Sequence, residues 1–231
     1  LQITTEKLAD GKWRLNSVGM RDIGAHLQSV TSKNPRRDIV FNDEGFKHLI
    51  NFSRLFIGNS KLVKRIILDD SKLSLDASNL EIVLKRLLKD ENKKDEIIEI
   101  LQLLIPSFKN LEVQTQELSS TDQLLIFEKH SSKPFPKRLI SDGTFNIIAL
   151  VAAIFQSDEP QFLCIEEPEN GLNPKVIRQL INLFREKCEE KGHYIWLNTH
   201  SQTLISELTT DEIILVDKVE GITQVRQVKG I

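Results

Sequence analysis

The sequence predicts an α/β fold with a parallel sheet core and a small helical lobe, and three observations predict it. Phe162-Leu-Cys-Ile-Glu166 is a short apolar run of strand type that ends in two adjacent carboxylates, Glu166 and Glu167. Pro168 stops the run, Asn170-Gly171 turns the chain, and Pro174 stands where a helix would begin, with Asn173 before it as a natural cap. Tyr194-Ile-Trp-Leu-Asn198 reads as a second buried strand of parallel type, reached through a helix over 175–191. Leu80–Asp90 and Lys93–Ile105 repeat apolar residues at helical spacing and supply the lobe. In open α/β sheets ligands bind beyond the carboxyl ends of the strands, so the two acids mark the candidate site.

Composition bounds the reading without deciding it. The chain has 231 residues, 40% hydrophobic and 28% charged, which suits one domain, or one domain with a small lobe. A net charge of −2 gives no global pull toward nucleic acid, although a local basic patch remains compatible with it. Cys164 falls in the apolar strand and Cys188 on a helix, so no disulfide framework is expected and a reducing cytoplasm fits. No secretory signal opens the chain, and the apolar helix Phe145–Phe155 is far shorter than the ~20 residues of a membrane span. The chain starts at Leu1, and its sole methionine, Met20, lies beyond a segment already patterned as folded structure. We therefore read it as a fragment, or as the ordered part of something longer.

In chain order, residues 1–18 read as a hairpin around Asp10-Gly11. Residues 31–38 read as a loop whose Arg36-Arg37 pair is solvated. Phe46 to Phe56 is read as a helix anchored by Phe46, Leu49, Ile50 and Leu55, and 57–73 as containing a strand. Asp76-Ala-Ser-Asn79 is expected to cap the first lobe helix, and the charged run 89–96 to form the exposed turn between the two. Pro106 stops the second helix. Leu111–Gln116 and Gln123–Lys129 read as strands, and 130–138 as a basic, solvated loop with anion binding as the alternative. Glu212–Val219 and Ile222–Val228 read as a terminal hairpin around Glu220-Gly221. The boundaries expected are 1–74, 75–140 for the helical lobe and hairpin, and 141–231 for the core.

Ser141-Asp142-Gly143-Thr144 opens the apolar helix. A helix N-terminus exposes free backbone N–H groups and a positive dipole end, and Ser141, Gly143 and Thr144 add hydroxyl donors and close backbone approach. The alternative is an ordinary capped helix start. Gly11-Lys12 and Gly58-Asn-Ser60 both lack the glycine and hydroxyl spacing of a phosphate-binding P-loop, so no Walker A motif occurs in the sequence.

Three stretches in fixed order carry a family resemblance: Leu-Ile-Ser-Asp-Gly-Thr at 139–144, Ile-Glu-Glu-Pro-Glu-Asn-Gly-Leu-Asn-Pro at 165–174 and Asn-Thr-His-Ser at 198–201. Together they resemble the C-terminal half of an ABC-type ATPase head of the RecF/SMC-like bacterial group, often labelled AAA-family. The resemblance is strong from about residue 75 onward. It implies an ABC-type P-loop NTPase fold whose Walker A loop, and usually its Gln loop, belong to an N-terminal half. By resemblance, Ser141, Asp142, Gly143 and Thr144 form the signature that touches the γ-phosphate of ATP held by the opposite subunit. Glu166 takes the Walker B position that orients Mg²⁺. Glu167 takes the position of the general base, and His200 that of the switch histidine. Asn170, Gly171 and Asn173 match the D-loop at the dimer interface.

The resemblance implies ATP and Mg²⁺ as cofactors and a head-to-tail homodimer, completed by the N-terminal half, that drives a DNA-associated or anti-phage defence process with a nuclease or other effector partner. It implies no membrane. The rival readings are a non-hydrolysing ATP-gated scaffold and a metal-dependent nuclease using Glu166, Glu167 and Glu169. Direct DNA contact would use Lys85, Arg86, Lys133, Lys137 and Arg138 on phosphates.

Overall fold

The computed structural model describes residues 2–7, 13–18, 39–41, 51–57, 69–116 and 121–228. The chain forms two compact units, residues 1–51 and 52–231. In the first, β1 (Gln2–Lys7) pairs antiparallel with β2 (Trp13–Val18), as the hairpin reading expects, and β2 pairs antiparallel with β3 (Ile39–Phe41). The expectations for 31–38, for 46–50 and for the strand within 58–68 lie outside the described residues.

The second unit is organised on a three-stranded parallel sheet, in the order β4 (Phe52–Phe56), β8 (Phe162–Glu166), β9 (Tyr194–Asn198). The helix expected to run to Phe56 is therefore corrected over its described part: Phe52–Phe56 is a strand. The residues alternate, with Ser53 and Leu55 buried and Phe52 and Arg54 exposed, and this two-residue period fits a sheet with one covered face. Leu55, Leu163 and Ile165 on the covered face join one core with Ile147–Phe155 and Val176–Phe184. The expectation of a buried β9 is also corrected. It is parallel, but it is the edge strand of the described sheet, and Tyr194 and Trp196 are 56% and 42% exposed. The register sets Phe52, Phe162 and Tyr194 side by side on the open face, with edge-to-face ring centroids 5.3 and 5.2 Å apart.

The lobe is α1 (Leu80–Leu87) and α2 (Glu91–Leu104), with Leu80, Val83, Leu84 and Leu87 of α1 and Ile97, Leu101 and Leu104 of α2 buried. Two expectations change here. The charged run is a turn only at Lys89 and Asp90: Asp90 caps α2 by accepting from Asn92 and Lys93, and Glu91–Glu96 are the first turns of that helix. Asn79 stands at the start of α1 without capping it. Its amide instead accepts from Ser74 N–H and donates to the carbonyls of Asp69 and Lys72, lacing the preceding loop.

An antiparallel sheet follows, β5 (Phe108–Gln116), β6 (Thr121–Glu128) and β7 (Phe135–Pro136), so part of the expected 130–138 loop is strand. Next come α3 (Asp142–Phe155), buried continuously from Asn146 to Phe155, and α4 (Pro174–Lys191). Asn173 caps α4 through Val176 N–H, and Gly192 ends it in the left-handed conformation at φ 66°. A short α5 (Gln202–Ile205) leads to the terminal hairpin β10 (Ile214–Val219) and β11 (Ile222–Gln227).

Two polar devices bind the unit together. Lys187 of α4 is buried along its stem and brings its ammonium 2.6 Å from Glu96 of α2 and 2.6 Å from Glu190, which holds its pKa well above the ordinary lysine value. Replacing Lys187 with Ala should lower stability by about 2 kcal/mol in urea unfolding, and Lys187→Met by less, because the apolar stem is retained.

Arg185 grips Glu212 with two hydrogen bonds of 2.7 Å, and Thr209 N–H adds another, so Glu212 is held down to about 2 from an ordinary 4.5. A depressed carboxylate contributes stability above its unfolded pKa and loses that contribution as pH falls toward the folded value. Thermal melts should therefore show stability draining from pH about 4.5 down to about 2, and Glu212→Gln should remove that part of the slope.

Candidate functional site

Parallel pairing brings Phe56, Glu166 and Asn198 into one row at the carboxyl end of the sheet. Glu166, the last residue of β8, receives Arg54 of β4: Arg54 Nε donates to Glu166 Oε1 at 2.8 Å, and Nη2 donates to the same oxygen. Arg54 is more than half exposed, so this pair adds little stability, but it supplies a cation beside the first acid.

Glu167 leaves the strand with φ +47°, a left-handed backbone that is uncommon outside glycine. Three contacts hold it there. Its N–H donates to Asn198 O at 2.7 Å, its C=O accepts from Asn170 N–H at 3.1 Å, and its Oε2 accepts from Asn170 Nδ2 at 3.0 Å. Strain of this kind, of order 1–3 kcal/mol, persists only where the surroundings over-determine it.

The turn continues through buried Pro168 to Glu169, whose Oε1 accepts from Thr199 Oγ1 at 2.5 Å. Thr199 Oγ1 also accepts from Ser201 N–H at 3.0 Å, and Ser201 caps α5 through Leu204 N–H. His200 therefore sits exposed at the tip of a loop pinned on both sides. Glu169 gives Oε1 to that loop, while its Oε2 is buried without a hydrogen-bond partner. Among the described residues no three His, Cys, Asp or Glu side chains come together as a ready-made metal cluster.

Ser141 caps α3 by accepting from Thr144 N–H at 3.1 Å, and its hydroxyl also donates to Thr144 Oγ1 at 3.0 Å. The N-terminal turn of α3 meets the acid-bearing turn directly. Gly143 and Gly171 touch backbone to backbone, and Gly171 has φ 74°. Ser141, Gly143 and Thr144 on one side and Gly171, Leu172 and Asn173 on the other line a cavity of about 170 Å³. The structure thus brings the Ser141–Thr144 and Asn170–Asn173 segments together, and joins the carboxylate turn to the histidine loop.

These groups suit a phosphate-bearing ligand and a hard cation in different measure. With Thr144 N–H and the Ser141 hydroxyl hydrogen spent within the cap, the Asp142 and Gly143 N–H groups and the Thr144 hydroxyl are the donors this helix start can offer an anion. For Mg²⁺ the chain offers hard carboxylate oxygens at Glu166 and Glu167, a set that fits a cation carried largely by phosphate and water rather than caged by protein. Of the cations considered for DNA, Lys85 is bound to Asp122 and Thr115, Arg86 to the carbonyls of Asp70, Ser71 and Gln156, and Lys137 to Glu81. Lys133 and Arg138 are exposed.

Sequence reasoning missed Arg54 and Asn146. The alternation Phe-Ser-Arg-Leu-Phe at 52–56 was the signal for the first. The lone amide within the apolar run of α3 was the signal for the second; its Nδ2 donates to Asn170 O at 2.7 Å.

The fold is that of the ABC- and SMC-type ATPase heads. The family model described as "AAA domain, putative AbiEii toxin, Type IV TA system" matches residues 18–206, and the chain belongs to that family. A solved Smc head bound to the C-winged helix domain of ScpA superposes with a TM-score of 0.51 at 17% identity, covering 97% of this chain and 67% of that one, and shows the shared fold. The energy-coupling factor transporter ATP-binding protein EcfA2 of Lactobacillus acidophilus is 30% identical over 105 residues, covering 45% of this chain and 35% of that protein. A putative ABC transporter ATP-binding protein of Pyrococcus abyssi is 35% identical over 68 residues, covering 29% of this chain and 26% of that protein. The matched stretches are thus about a third and a quarter of these relatives' own lengths. Among the described residues no helix is long and apolar enough to cross a membrane.

A methyl group at Gly143 would run into the Gly171 carbonyl oxygen, which is backbone and cannot swing aside. Gly143→Ala should therefore cost about 1–3 kcal/mol of stability, read as a lower urea midpoint.

Proposed function

We propose that this chain is the C-terminal half of an ABC-type ATPase head that binds and hydrolyses ATP once its N-terminal half supplies a Walker A loop. The observation that carries this reading is the junction of the three loops: the α3 N-terminus abuts the carboxylate turn, and that turn is bonded to the histidine loop. Phosphoryl transfer asks a protein mainly for positioning and charge stabilisation. In this reading Glu167 takes the proton of the attacking water, and its backbone clamp fixes where the carboxylate points. His200 donates toward the γ-phosphate. Glu166 would help hold Mg²⁺, which would supply neutralisation of phosphate charge. Ser141, Gly143 and Thr144 receive the γ-phosphate of a nucleotide held by a second copy, with Asn170, Gly171 and Asn173 at that interface, so the working unit is a head-to-tail dimer.

The need for an N-terminal half is supported by the sheet. Parallel sheets are covered on both faces, yet here Phe52, Tyr194 and Trp196 stand exposed on one face, and β9 has a single neighbour among the described strands. The ATP-binding names of the transporter relatives support the ATP part of this reading, and the toxin-system description of the family supports a defence role. The cytoplasmic setting, the DNA-associated alternative and an effector partner such as a nuclease are further parts of the proposal.

A second reading, an ATP-gated scaffold without hydrolysis, draws on one observation: Arg54 already occupies Glu166.

The test is Mg²⁺-ATP turnover by the full-length protein beside its Glu167→Gln variant. Turnover should fall by about 10²-fold or more in the variant, with ATP and the dimer retained. Binding without turnover in both proteins would favour the scaffold. No ATP binding in either would overturn both readings.

A further inference from the structure

Asn146 is the one polar residue in the buried stretch of α3 from Asn146 to Phe155, and it is only 3% exposed. A buried amide left without partners costs of order 1–3 kcal/mol, so its placement in an apolar helix calls for a specific acceptor. It has two. Nδ2 donates to Asn170 O at 2.7 Å and to Pro168 O at 3.3 Å. Both carbonyls belong to the turn that leaves Glu167, and they bracket Glu169. Gly143 lies one helical step before Asn146 on the same face, and it is the residue in contact with Gly171. The N-terminal turn of α3 is thus fastened to the acid-bearing turn twice, once by shape and once by hydrogen bonds. The far side of the turn is fastened to the histidine loop through Glu169 and Thr199.

We propose that Asn146 is a positioning residue: it locks the Pro168–Gly171 turn to α3, so that the placement of the Ser141–Thr144 segment sets the placement of the Glu167 carboxylate. The left-handed backbone of Glu167 makes the lock necessary. A strained residue relaxes when its surroundings loosen, and its clamp partner Asn170 is the residue whose carbonyl Asn146 holds. Losing the lock frees the turn to shift while the helix, buried by nine apolar neighbours in its own run, stays in place. An anion arriving at the α3 N-terminus would then no longer be felt at Glu167.

The catalytic part of this inference rests on the ATPase reading above; the mechanical part does not, and the experiment separates them. The full-length protein is compared with Asn146→Leu, which keeps the branched side-chain skeleton, adds bulk and removes both N–H donors, and with Asn146→Ala, which removes them without added bulk should the leucine variant fold poorly. Amide hydrogen exchange is followed at Asn170 and Leu172, whose N–H groups bond back across the turn to Glu167 and Glu169, and at Ile148–Phe155 as the internal control. Exchange at the two turn amides should quicken by about tenfold, with the helix amides unchanged. Steady-state Mg²⁺-ATP turnover should show kcat falling about 10- to 100-fold with KM within about twofold, the mark of a misplaced group rather than a lost binding site. Turn exchange that matches the wild type overturns the proposal, as does an unchanged kcat in a wild type that does turn over ATP. If the wild type itself has no turnover, the ATPase reading falls and the exchange result alone decides whether Asn146 is the lock.

Discussion

The left-handed backbone of Glu167 is the constraint on which the candidate site depends. A strand cannot continue through such a residue, so β8 ends at the acid pair and the chain turns back toward α3. Pro168 adds to the demand, because a residue before proline favours extended backbone, and Glu167 is held away from it. Sustaining the conformation takes the neighbouring strand end at Asn198, both polar groups of Asn170, and the packing of Pro168. Each of those supports is itself tied to another element. The turn is consequently held by α3, β9 and the histidine loop together.

The parallel sheet supplies the geometry in which this can happen. Parallel pairing aligns the carboxyl ends of β4, β8 and β9, so side chains that end different strands come within reach of one another without any long loop. Arg54 illustrates this: it stands opposite Cys164, two residues below the edge, and its length carries the guanidinium up to Glu166. The helices behind the sheet contribute rigidity. Lys187 joins α4 to the lobe, and a buried amide network runs from Gln156 to Ser53, Gln161 and the Leu73 N–H, fixing the end of α3 against β4.

Much of this was legible in the sequence where the local signal and the tertiary demand agree. Asn173-Pro174 and Ser141 start helices in the fold as they do on paper, because capping is decided within four residues. The strand around Cys164 was legible for the same reason. Phe52–Phe56 was not, since a five-residue segment with apolar ends fits a helical stripe as well as a pleat, and only the partner strand decides between them. Asn79 misled in a different way. The residue type suits a cap, but its amide found better use in a loop distant by several residues. At the site, the acids, glycines and histidine stood out by type and order. Arg54 and Asn146 did not, because their meaning lies entirely in what they touch across the fold.

The open face of the sheet carries a further consequence. Trp196 shares its row with Arg54 and Cys164 and lies two residues before Asn198, on the strand that leads to the histidine loop. An indole in that position is a built-in optical reporter: its emission reads how wet the open face is, and it does so next to the site without any label. Any partner that covered this face would move that colour toward the blue, and replacing the chain's other tryptophan, Trp13, by Phe would leave Trp196 as the sole reporter.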